Sequence, residues 1–400
     1  MADSLFSTVE PAPADPILGL TEAFRGDDNP NKVNLTVGVY QDETGTTPVL
    51  NCVRKAEERL AQAGNSKGYL SIDGDPGFGQ RVRKLLFGDD HQHVSSGAAV
   101  TLQTPGGTGA LRVAGEFLRK IGGSKIYMSK PTWANHRSVF TAAGLDVGEY
   151  SYLDGGNRWL NFPAMIEDLE NLAAGSVILL HACCHNPSGS DPNGEQWEQV
   201  AETLSTRGII PLVDFAYQGF GDGLNEDAAG LRTLAARCPE MLVCSSYSKN
   251  FGLYCERVGA LTLVANDTTA AKHSLSQAKL CVRANYSNPP RHGAAIVSTI
   301  LQDEELTSQW ECELATMRNR IRSMREKLIA GLAESCPSQD FTHISSQRGM
   351  FSFSGLNAMQ VDELREKYSI YIVRSGRINV AGLNDNNIGT LCKAVGEVAG

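Results

Sequence analysis

Short apolar blocks recur along the first two thirds of the chain, separated by stretches in which apolar residues follow helical spacing. Blocks of this length that are apolar throughout are typical of strands buried on both faces of a parallel sheet. Such strands are predicted at 124–129, 176–184, 208–217 and 241–248. The alternation of strand-like blocks with helical stretches therefore predicts an α/β protein built on a parallel sheet.

Helical spacing is clearest at 53–64 and 109–123. In the second stretch Leu111 and Leu118 fall on one face, and both stretches end at glycine, which commonly stops a helix. After about Ser308 the pattern changes to one long charged helix followed by a shorter helix–strand pattern. This change predicts a second, smaller α+β lobe, because a chain of 400 residues exceeds the size at which one core usually stops growing.

The composition excludes several classes of protein. The chain holds 36 Lys and Arg against 45 Asp and Glu, for a formal net charge of −9, and it has no basic stripe interleaved with aromatic residues. Nucleic acid is therefore not expected as a partner. No apolar run approaches the roughly 20 residues that span a bilayer. The 10 cysteines form no CxxC pair, and the first residues lack the charge pattern of a leader, so we expect a cytoplasmic protein with reduced thiols.

The segment HACCH contains residue types that bind metals. His181 and His185 have the spacing of zinc ligands. However, this segment continues a predicted strand, which would turn alternate side chains to opposite faces. We therefore predict no metal site and interpret Cys183 and Cys184 as small buried side chains.

One combination of residues points to a specific cofactor. The segment 104–111 places glycines and Thr108 at a predicted helix start, where free N–H groups and the helix dipole favour an anion such as phosphate. One predicted strand ends at Asp214, with Tyr217 three residues on, and another ends at Lys249, so these side chains can meet at the carboxyl edge of the sheet. A lysine in such a position loses its proton more easily than an exposed one, as imine chemistry requires. A phosphate site, an amine and a carboxylate are together what pyridoxal 5'-phosphate (PLP) needs.

A series of phrases, in order and covering essentially the whole chain, resembles the aspartate aminotransferases of the class I PLP-dependent aminotransferase family. The phrases are NLTVGVY (34–40), GYLSIDG (68–74), TPGGTGAL (104–111), PTWANH (131–136), HACCHNPSG (181–189), DFAYQGF (214–220), SSYSKNFGLYCERVGA (245–260), RANYSNPP (283–290), GMFSFSG (349–355) and SGRINVAG (375–382).

The resemblance implies the architecture of a fold-type-I PLP-dependent transferase, assembled as a homodimer with shared active sites. A large PLP-binding domain, with a mainly parallel central sheet flanked by helices, is expected at 47–316. A smaller α+β domain is expected to combine 13–46 with 317–400, preceded by an N-terminal arm at 1–12.

The resemblance also implies a role for each residue of the cofactor site. Lys249 matches the lysine that forms the internal aldimine with PLP, and Asp214 matches the carboxylate that pairs with the pyridinium nitrogen. Trp133 matches an aromatic ring that covers the pyridine, and His136 resembles a residue behind Asp214. The implied catalytic residues are Lys249, Asp214, Tyr217 and Trp133. The other implied cofactor contacts are Gly106, Gly107, Thr108, Asn186, Tyr217, Ser246, Arg257 and, from the other subunit, Tyr69.

On the substrate side, the resemblance implies two arginines for two carboxylates. Arg377 matches the arginine that holds the α-carboxylate through two parallel hydrogen bonds. Arg283 resembles the arginine that reaches across the dimer interface to the side-chain carboxylate. Arg291 lies close after it, which leaves open which of the two serves. The implied substrate contacts are completed by Gly38, Trp133 and Asn186.

The implied activity is a reversible ping-pong transfer of the amino group from L-aspartate to 2-oxoglutarate, giving oxaloacetate and L-glutamate, with Lys249 as covalent tether and general acid/base. A broad-specificity aspartate and aromatic-amino-acid aminotransferase is the nearest alternative, because an interface arginine that swings away could admit an aromatic ring. A PLP-dependent lyase is a further alternative. A non-enzymatic binding protein would require the loss of Lys249, Asp214 or Arg377, and all three are present.

Overall fold

The computed structural model describes residues 4–12, 18–89 and 91–400. Parts of the predicted N-terminal arm (1–3) and of the predicted small domain (13–17) lie outside the described residues. The helices are α1 (Leu18–Gly26), α2 (Asn51–Ala63), α3 (Pro76–Phe87), α4 (Gln92–Ser95), α5 (Gly106–Lys120), α6 (Asn135–Ala142), α7 (Phe162–Glu170), α8 (Gly194–Arg207), α9 (Ala229–Arg237), α10 (Thr268–Asn285), α11 (His292–Leu301), α12 (Glu304–Ser335), α13 (Ala358–Tyr368) and α14 (Ile388–Ala399). The strands are β1 (Val33–Asn34), β2 (Ala99–Pro105), β3 (Lys125–Lys130), β4 (Asp146–Ser151), β5 (Val177–His181), β6 (Ile210–Phe215), β7 (Met241–Ser246), β8 (Val258–Val264), β9 (Phe351–Phe353), β10 (Ile370–Tyr371) and β11 (Arg377–Asn379).

A seven-stranded sheet lies at the centre of the described residues, with the strand order β2-β8-β7-β6-β5-β3-β4. The pairs among β3 to β7 are parallel, whereas β8 runs antiparallel to both β2 and β7. Strands β5, β7 and β8 are buried along their whole length, which explains why their sequences are apolar without alternation. The predicted α/β fold with a mainly parallel central sheet is confirmed.

The structure differs from the prediction at the segment HACCH. The strand predicted at 176–184 ends at His181, and Cys184 has a φ of 51°, so the expected alternation between two faces is wrong here. Cys183, Cys184 and Asp227 place possible ligand atoms within 4.8 Å of one another. Both carboxylate oxygens of Asp227 already accept backbone N–H groups from the loop 219–223. The absence of a metal site stays a prediction.

Residues near both ends of the chain form two small sheets outside the central one. Strand β1 pairs in parallel with β10, and β9 pairs antiparallel with β11. The long charged helix predicted after about Ser308 is α12, which spans 32 residues. Trp310 on this helix stacks on Phe251 with 4.3 Å between ring centroids and donates through Nε1 to the carbonyl of Asn250 at 2.7 Å. Helix α12 therefore anchors the turn that follows β7.

Two expectations from the composition concern membranes and thiols. None of the described helices combines the length and the apolar character that crossing a bilayer requires. All the cysteines are free thiols, and most are buried, with Cys255 and Cys312 exposed. The structure therefore contains no disulfide framework among its cysteines.

Candidate active site

Two neighbouring parallel strands bring the predicted acid and the predicted amine to one edge of the sheet. Asp214 lies near the carboxyl end of β6, and Lys249 lies in the turn that follows β7. The two strands pair directly, with Asp214 opposite Cys244. Both side chains line one cavity of about 270 Å³, at the edge where open α/β sheets bind their ligands.

Most of the predicted site residues line this cavity. They are Gly38, Gly107, Thr108, Trp133, Asn186, Asp214, Tyr217, Ser246, Lys249, Arg257 and Arg377. Gly106 begins α5 immediately before Gly107. The cavity is also lined by residues that were not predicted, namely Leu111, Ala216, Ser248, Tyr254 and Phe351. All five stand inside phrases that carry the family resemblance, so the sequence did contain a signal for them.

Asp214 is buried and hydrogen-bonded to a chain of polar side chains. Its Oδ2 lies 2.9 Å from Nε2 of His136. Nδ1 of His136 lies 2.8 Å from Oγ1 of Thr132, which is also 3.1 Å from Nε2 of His181. Burial raises the pKa of the Asp214 carboxyl, but the hydrogen bond from His136 and nearby positive charge, including Lys249, outweigh it, so the net pKa is lowered. Asp214 is therefore an ionised carboxylate at neutral pH.

Lys249 is placed so that its amine is easily deprotonated. Its Nζ lies 4.9 Å from the centroid of the Tyr217 ring. Burial lowers the pKa of Lys249 and repulsion by Arg257 lowers it further, whereas attraction by Asp214 opposes the shift. The lowered pKa increases the fraction of neutral amine, which is the form that attacks a carbonyl carbon.

The N-terminus of α5 and a neighbouring guanidinium form a cradle for an anion. Gly106 has a φ of 73°, and a Cβ at this position would overlap Nη2 of Arg257. A Cβ at Gly107 would lie only 3.0 Å from Cβ of Ser246. Nη1 of Arg257 donates to Oγ of Ser248 at 3.3 Å and to a backbone carbonyl at 2.9 Å. Free helix N–H groups, a guanidinium without an acidic partner among these contacts, and serine hydroxyls together fit a phosphate group.

Arg377 is a buried guanidinium whose contacts are all uncharged. Its Nη1 donates to Oδ1 of Asn186 at 3.3 Å and its Nη2 donates to the carbonyl of Thr36. Its Nε has no hydrogen-bond partner in the described part of the chain. The guanidinium lies 4.2 Å from the ring centroid of Phe351, and a Cβ at Gly38 would lie 2.6 Å from the same ring. Burial lowers the pKa of Arg377 to about 10, so the group stays charged at neutral pH and fits a carboxylate.

Aromatic and amide side chains form the wall between these charged groups. Nδ2 of Asn186 donates to the hydroxyl of Tyr217 at 3.4 Å, and burial raises the pKa of that hydroxyl. Trp133 stands perpendicular to the ring of His136, with 5.2 Å between centroids. The cavity thus offers a flat aromatic face and neutral hydrogen-bonding groups beside its charged ones.

Besides Gly106, two predicted contact residues do not line the cavity of this chain. Tyr69 is 95% exposed. Arg283 is exposed on α10 and donates to Oγ of Ser287. Arg291, the other arginine considered for the same role, donates to the carbonyl of Ser66 at 2.6 Å. The roles given to Tyr69 and Arg283 across a subunit boundary stay predictions.

The chain is similar along almost its whole length to aminotransferases. The family model for aminotransferases of class I and II matches residues 30–395. The aspartate aminotransferase of Escherichia coli (strain K12) is 53% identical over 392 residues, which are 98% of this chain and 99% of that protein. The aromatic-amino-acid aminotransferase of Pseudomonas aeruginosa is 45% identical over 396 residues, 99% of each protein.

Solved structures agree with these matches. The crystal structure of an aromatic-amino-acid aminotransferase from Burkholderia pseudomallei, covalently bound to pyridoxal phosphate, matches with a TM-score of 0.96 and 48% identity, covering 99% of each chain. The family resemblance predicted from the phrases is confirmed. This chain belongs to the class I and II aminotransferase family.

Proposed function

We propose that this protein is a PLP-dependent aspartate aminotransferase, which transfers the amino group of L-aspartate to 2-oxoglutarate and yields oxaloacetate and L-glutamate. The observation that carries the proposal is a cavity in which Lys249, Asp214 and Arg377 lie together. The hydrogen bonds of Arg377 there are to uncharged groups. Relatives named as aspartate aminotransferases support this amino donor. Relatives named as aromatic-amino-acid aminotransferases are also close, so a broad-specificity enzyme remains the alternative to be tested.

The cavity fits each functional group of PLP. The start of α5 with Arg257 and Ser246 suits the phosphate, Asp214 suits the protonated ring nitrogen, and Lys249 suits the aldehyde. We propose that Tyr217 and Asn186 bind the 3-oxygen and that Trp133 covers one face of the ring. The remaining proposed cofactor contacts are Gly106, Gly107 and Thr108.

When bound, PLP supplies an electron sink that stabilises negative charge on the substrate's Cα. Asp214 would keep the ring nitrogen protonated, because a buried carboxylate favours the protonated form of a neighbouring base. Nζ of Lys249 takes the proton from the substrate's Cα and later returns one, which the lowered pKa of this amine favours. Arg377 binds the α-carboxylate through two parallel hydrogen bonds and so fixes the direction of the Cα–H bond.

We further propose a homodimer in which each chain completes the site of its partner. The exposed positions of Tyr69 and Arg283 support this arrangement. Tyr69 would contact the phosphate of PLP, and Arg283 would bind the side-chain carboxylate of aspartate. The proposed domains are a large one at 47–316 and a small one at 13–46 and 317–400, after an arm at 1–12, and the proposed location is the cytoplasm.

Borohydride reduction of the holoenzyme tests the covalent assignment. Reduction makes the bond between PLP and its lysine permanent, and peptide mapping should then find the pyridoxyl group on Lys249. A label on another lysine, or a protein that stays colourless after PLP is added, would refute the proposal. Lys393→Ala is a matched control, because this exposed lysine lies on α14 away from the cavity and its loss should leave the labelling unchanged.

A rate panel with aspartate, tyrosine, phenylalanine and tryptophan, each with 2-oxoglutarate, tests the specificity. Fast turnover of aspartate alone supports the main proposal, whereas comparable rates with the aromatic amino acids support the broad-specificity alternative. Parallel double-reciprocal plots are expected for ping-pong transfer, and intersecting plots would contradict it. Pyruvate released without a keto-acid acceptor would instead reveal a lyase.

Mixed dimers test whether the active sites are shared. A Lys249→Ala chain and an Arg283→Leu chain are each expected to be poor in aspartate turnover on their own. After mixing and reassembly at equal amounts, half of the dimers are hybrids with one intact site, so about a quarter of the wild-type activity should return. Failure of the mixture to exceed the average of its parents would contradict the sharing of Arg283.

A further inference from the structure

A second cavity, of about 370 Å³, lies between the loop 219–223 and helix α12. We call it the arginine cavity, because Arg318, Arg322, Arg325 and Arg348 all line it. It shares no lining residue with the active-site cavity. Its walls come from the segment that follows β6, from α12 and from the residues just before β9.

Positive charge exceeds negative charge in this lining. The four guanidinium groups lie with two carboxylates, Asp222 and Glu326. Asp222 accepts from Arg322 at 3.1 Å and from Arg348 at 3.3 Å, whereas Arg318 donates to a backbone carbonyl at 2.9 Å. Four positive against two negative groups leave an excess of two positive charges, and an excess of this sign attracts anions.

Arg325 forms the buried part of the cavity. Its side chain is 5% exposed, and its Nη2 and Nε donate to the carbonyls of Gly349 and Phe351 and to Oγ of Ser352. No acidic group of the described residues forms an ion pair with it. Burial lowers the pKa of Arg325 to about 10, with repulsion by Arg348 contributing, and the group is still charged at neutral pH. A buried charge is normally paired, because leaving it unpaired is costly.

Gln347 adds an unpartnered donor to the same lining. Its side chain is 1% exposed, and its Oε1 accepts from the backbone N–H of Phe353 at 3.2 Å, which fixes the orientation of the amide. Its Nε2 has no hydrogen-bond partner in the described ranges. The Nε2 atom is itself enclosed by protein atoms, and an unsatisfied buried donor of this kind is costly.

The three arginines of α12 share one helical face. Arg318, Arg322 and Arg325 follow the i, i+4, i+7 spacing that aligns side chains along a helix. Arg320, between them, faces elsewhere and donates to Glu43 and to a backbone carbonyl. The three arginines therefore meet at the cavity because they share this face, and not merely because the helix is rich in arginine.

We propose that the arginine cavity is a binding site for a small phosphate-bearing anion. A tetrahedral oxyanion can accept from Arg318 and Arg325 at once, while Arg322 and Arg348 each have N–H groups beyond those they give to Asp222. The cavity volume of about 370 Å³ is enough for a phosphorylated small molecule. Occupancy would join the loop 219–223 to α12 through one ligand.

Calorimetric titration of the PLP-loaded enzyme with orthophosphate tests the site. An excess of succinate occupies any dicarboxylate-binding arginines of the active site, and the ionic strength is held constant. One saturable phosphate site per chain is expected. Arg322→Gln and Arg348→Gln should each weaken it about tenfold, since each removes a charge-assisted hydrogen bond. A parallel titration with glycerol 3-phosphate distinguishes free phosphate from a phosphorylated organic molecule as the ligand. Tighter binding of glycerol 3-phosphate than of orthophosphate identifies the organic molecule.

Arg374→Gln is the matched control, because Arg374 is exposed and paired with Asp362 outside the cavity. This variant should bind phosphate as the wild type does. No saturable binding of either phosphate compound would overturn the proposal, and so would equal weakening in Arg374→Gln or unchanged binding in both cavity variants. The absorbance of bound PLP is read separately, so a failure of the proposed cofactor is distinguished from a failure of this site.

Discussion

The two ends of the active site differ in how much of them one chain supplies. At the cofactor end, β6, β7 and α5 bring Asp214, Lys249 and Arg257 into one cavity. At the end predicted to bind the substrate's side chain, Arg283 is exposed and outside that cavity. In the proposed function, one chain places Asp214, Lys249 and Arg257 for the chemistry common to all substrates, whereas Arg283, the residue proposed to select the side chain, acts only beside a second copy.

The largest expected effect comes from breaking the cofactor end. Asp214→Asn keeps the shape of the side chain but removes the charge that favours a protonated ring nitrogen. PLP should still bind, as its absorbance will report, while turnover should fall by about 10³-fold. Asp146→Asn, at the exposed start of β4, is the control and should keep wild-type turnover. Wild-type turnover in Asp214→Asn would refute the role proposed for this carboxylate.

Arg377→Leu should weaken the binding of every amino-acid substrate. A buried ion pair that loses one partner costs about 2 to 5 kcal/mol, which corresponds to roughly thirtyfold to several-thousandfold in affinity. Because the α-carboxylate is common to all amino acids, aspartate and phenylalanine should lose affinity to the same degree in a spectroscopic titration. A loss confined to aspartate would assign Arg377 to the side-chain carboxylate instead.

Arg283→Leu sharpens the comparison, because it should weaken the binding of dicarboxylate substrates alone. Affinity for aspartate should fall about thirtyfold, at the lower end of the range for a lost charge pair. Affinity for phenylalanine should stay constant or rise. Arg291→Leu is the matched control on the same surface, and a selective loss of aspartate binding in that variant would transfer the role from Arg283 to Arg291.

The smallest expected effect is on the pH dependence of stability. The pKa of Asp214 in the folded protein is lowered below its ordinary value of 3.8. The carboxylate therefore contributes to the free energy of unfolding above that value, and the contribution is lost as the pH falls through the lowered pKa. Denaturant unfolding of wild type and Asp214→Asn should diverge at neutral pH and converge at acid pH. A difference that is constant with pH would contradict the lowered pKa.

The sequence predicted the parts of the fold that depend on local pattern. Strands β5, β6 and β7 were recognised because they are apolar, and α5 because its apolar residues lie on one face. One strand end differs from the prediction: the strand predicted at 176–184 ends at His181. The antiparallel direction of β8 depends on its pairing with β2 and β7, which no local pattern encodes.

The distinction between local pattern and distant contacts also applies to the active-site cavity and the arginine cavity. Lys249 and Asp214 were predicted because short phrases and strand ends identify them. Arg325 was not, because an arginine in a charged amphipathic helix normally indicates a solvated face. It is buried by the residues before β9, more than twenty positions along the chain, and Gln347 gives no local signal of its unsatisfied amide. Burial that arises from distant segments is visible only in the folded chain.

Helix α12 connects the turn that carries Lys249 to a distant part of the molecule. Trp310 near its start is stacked beside the lysine-bearing turn, while its last residue is Ser335. At 1.5 Å per residue the distance between these positions along the helix is about 37 Å. A rigid tilt of about 5° about the indole would move the far end by about 3 Å, so a small movement beside the turn that carries Lys249 would be largest at the opposite tip.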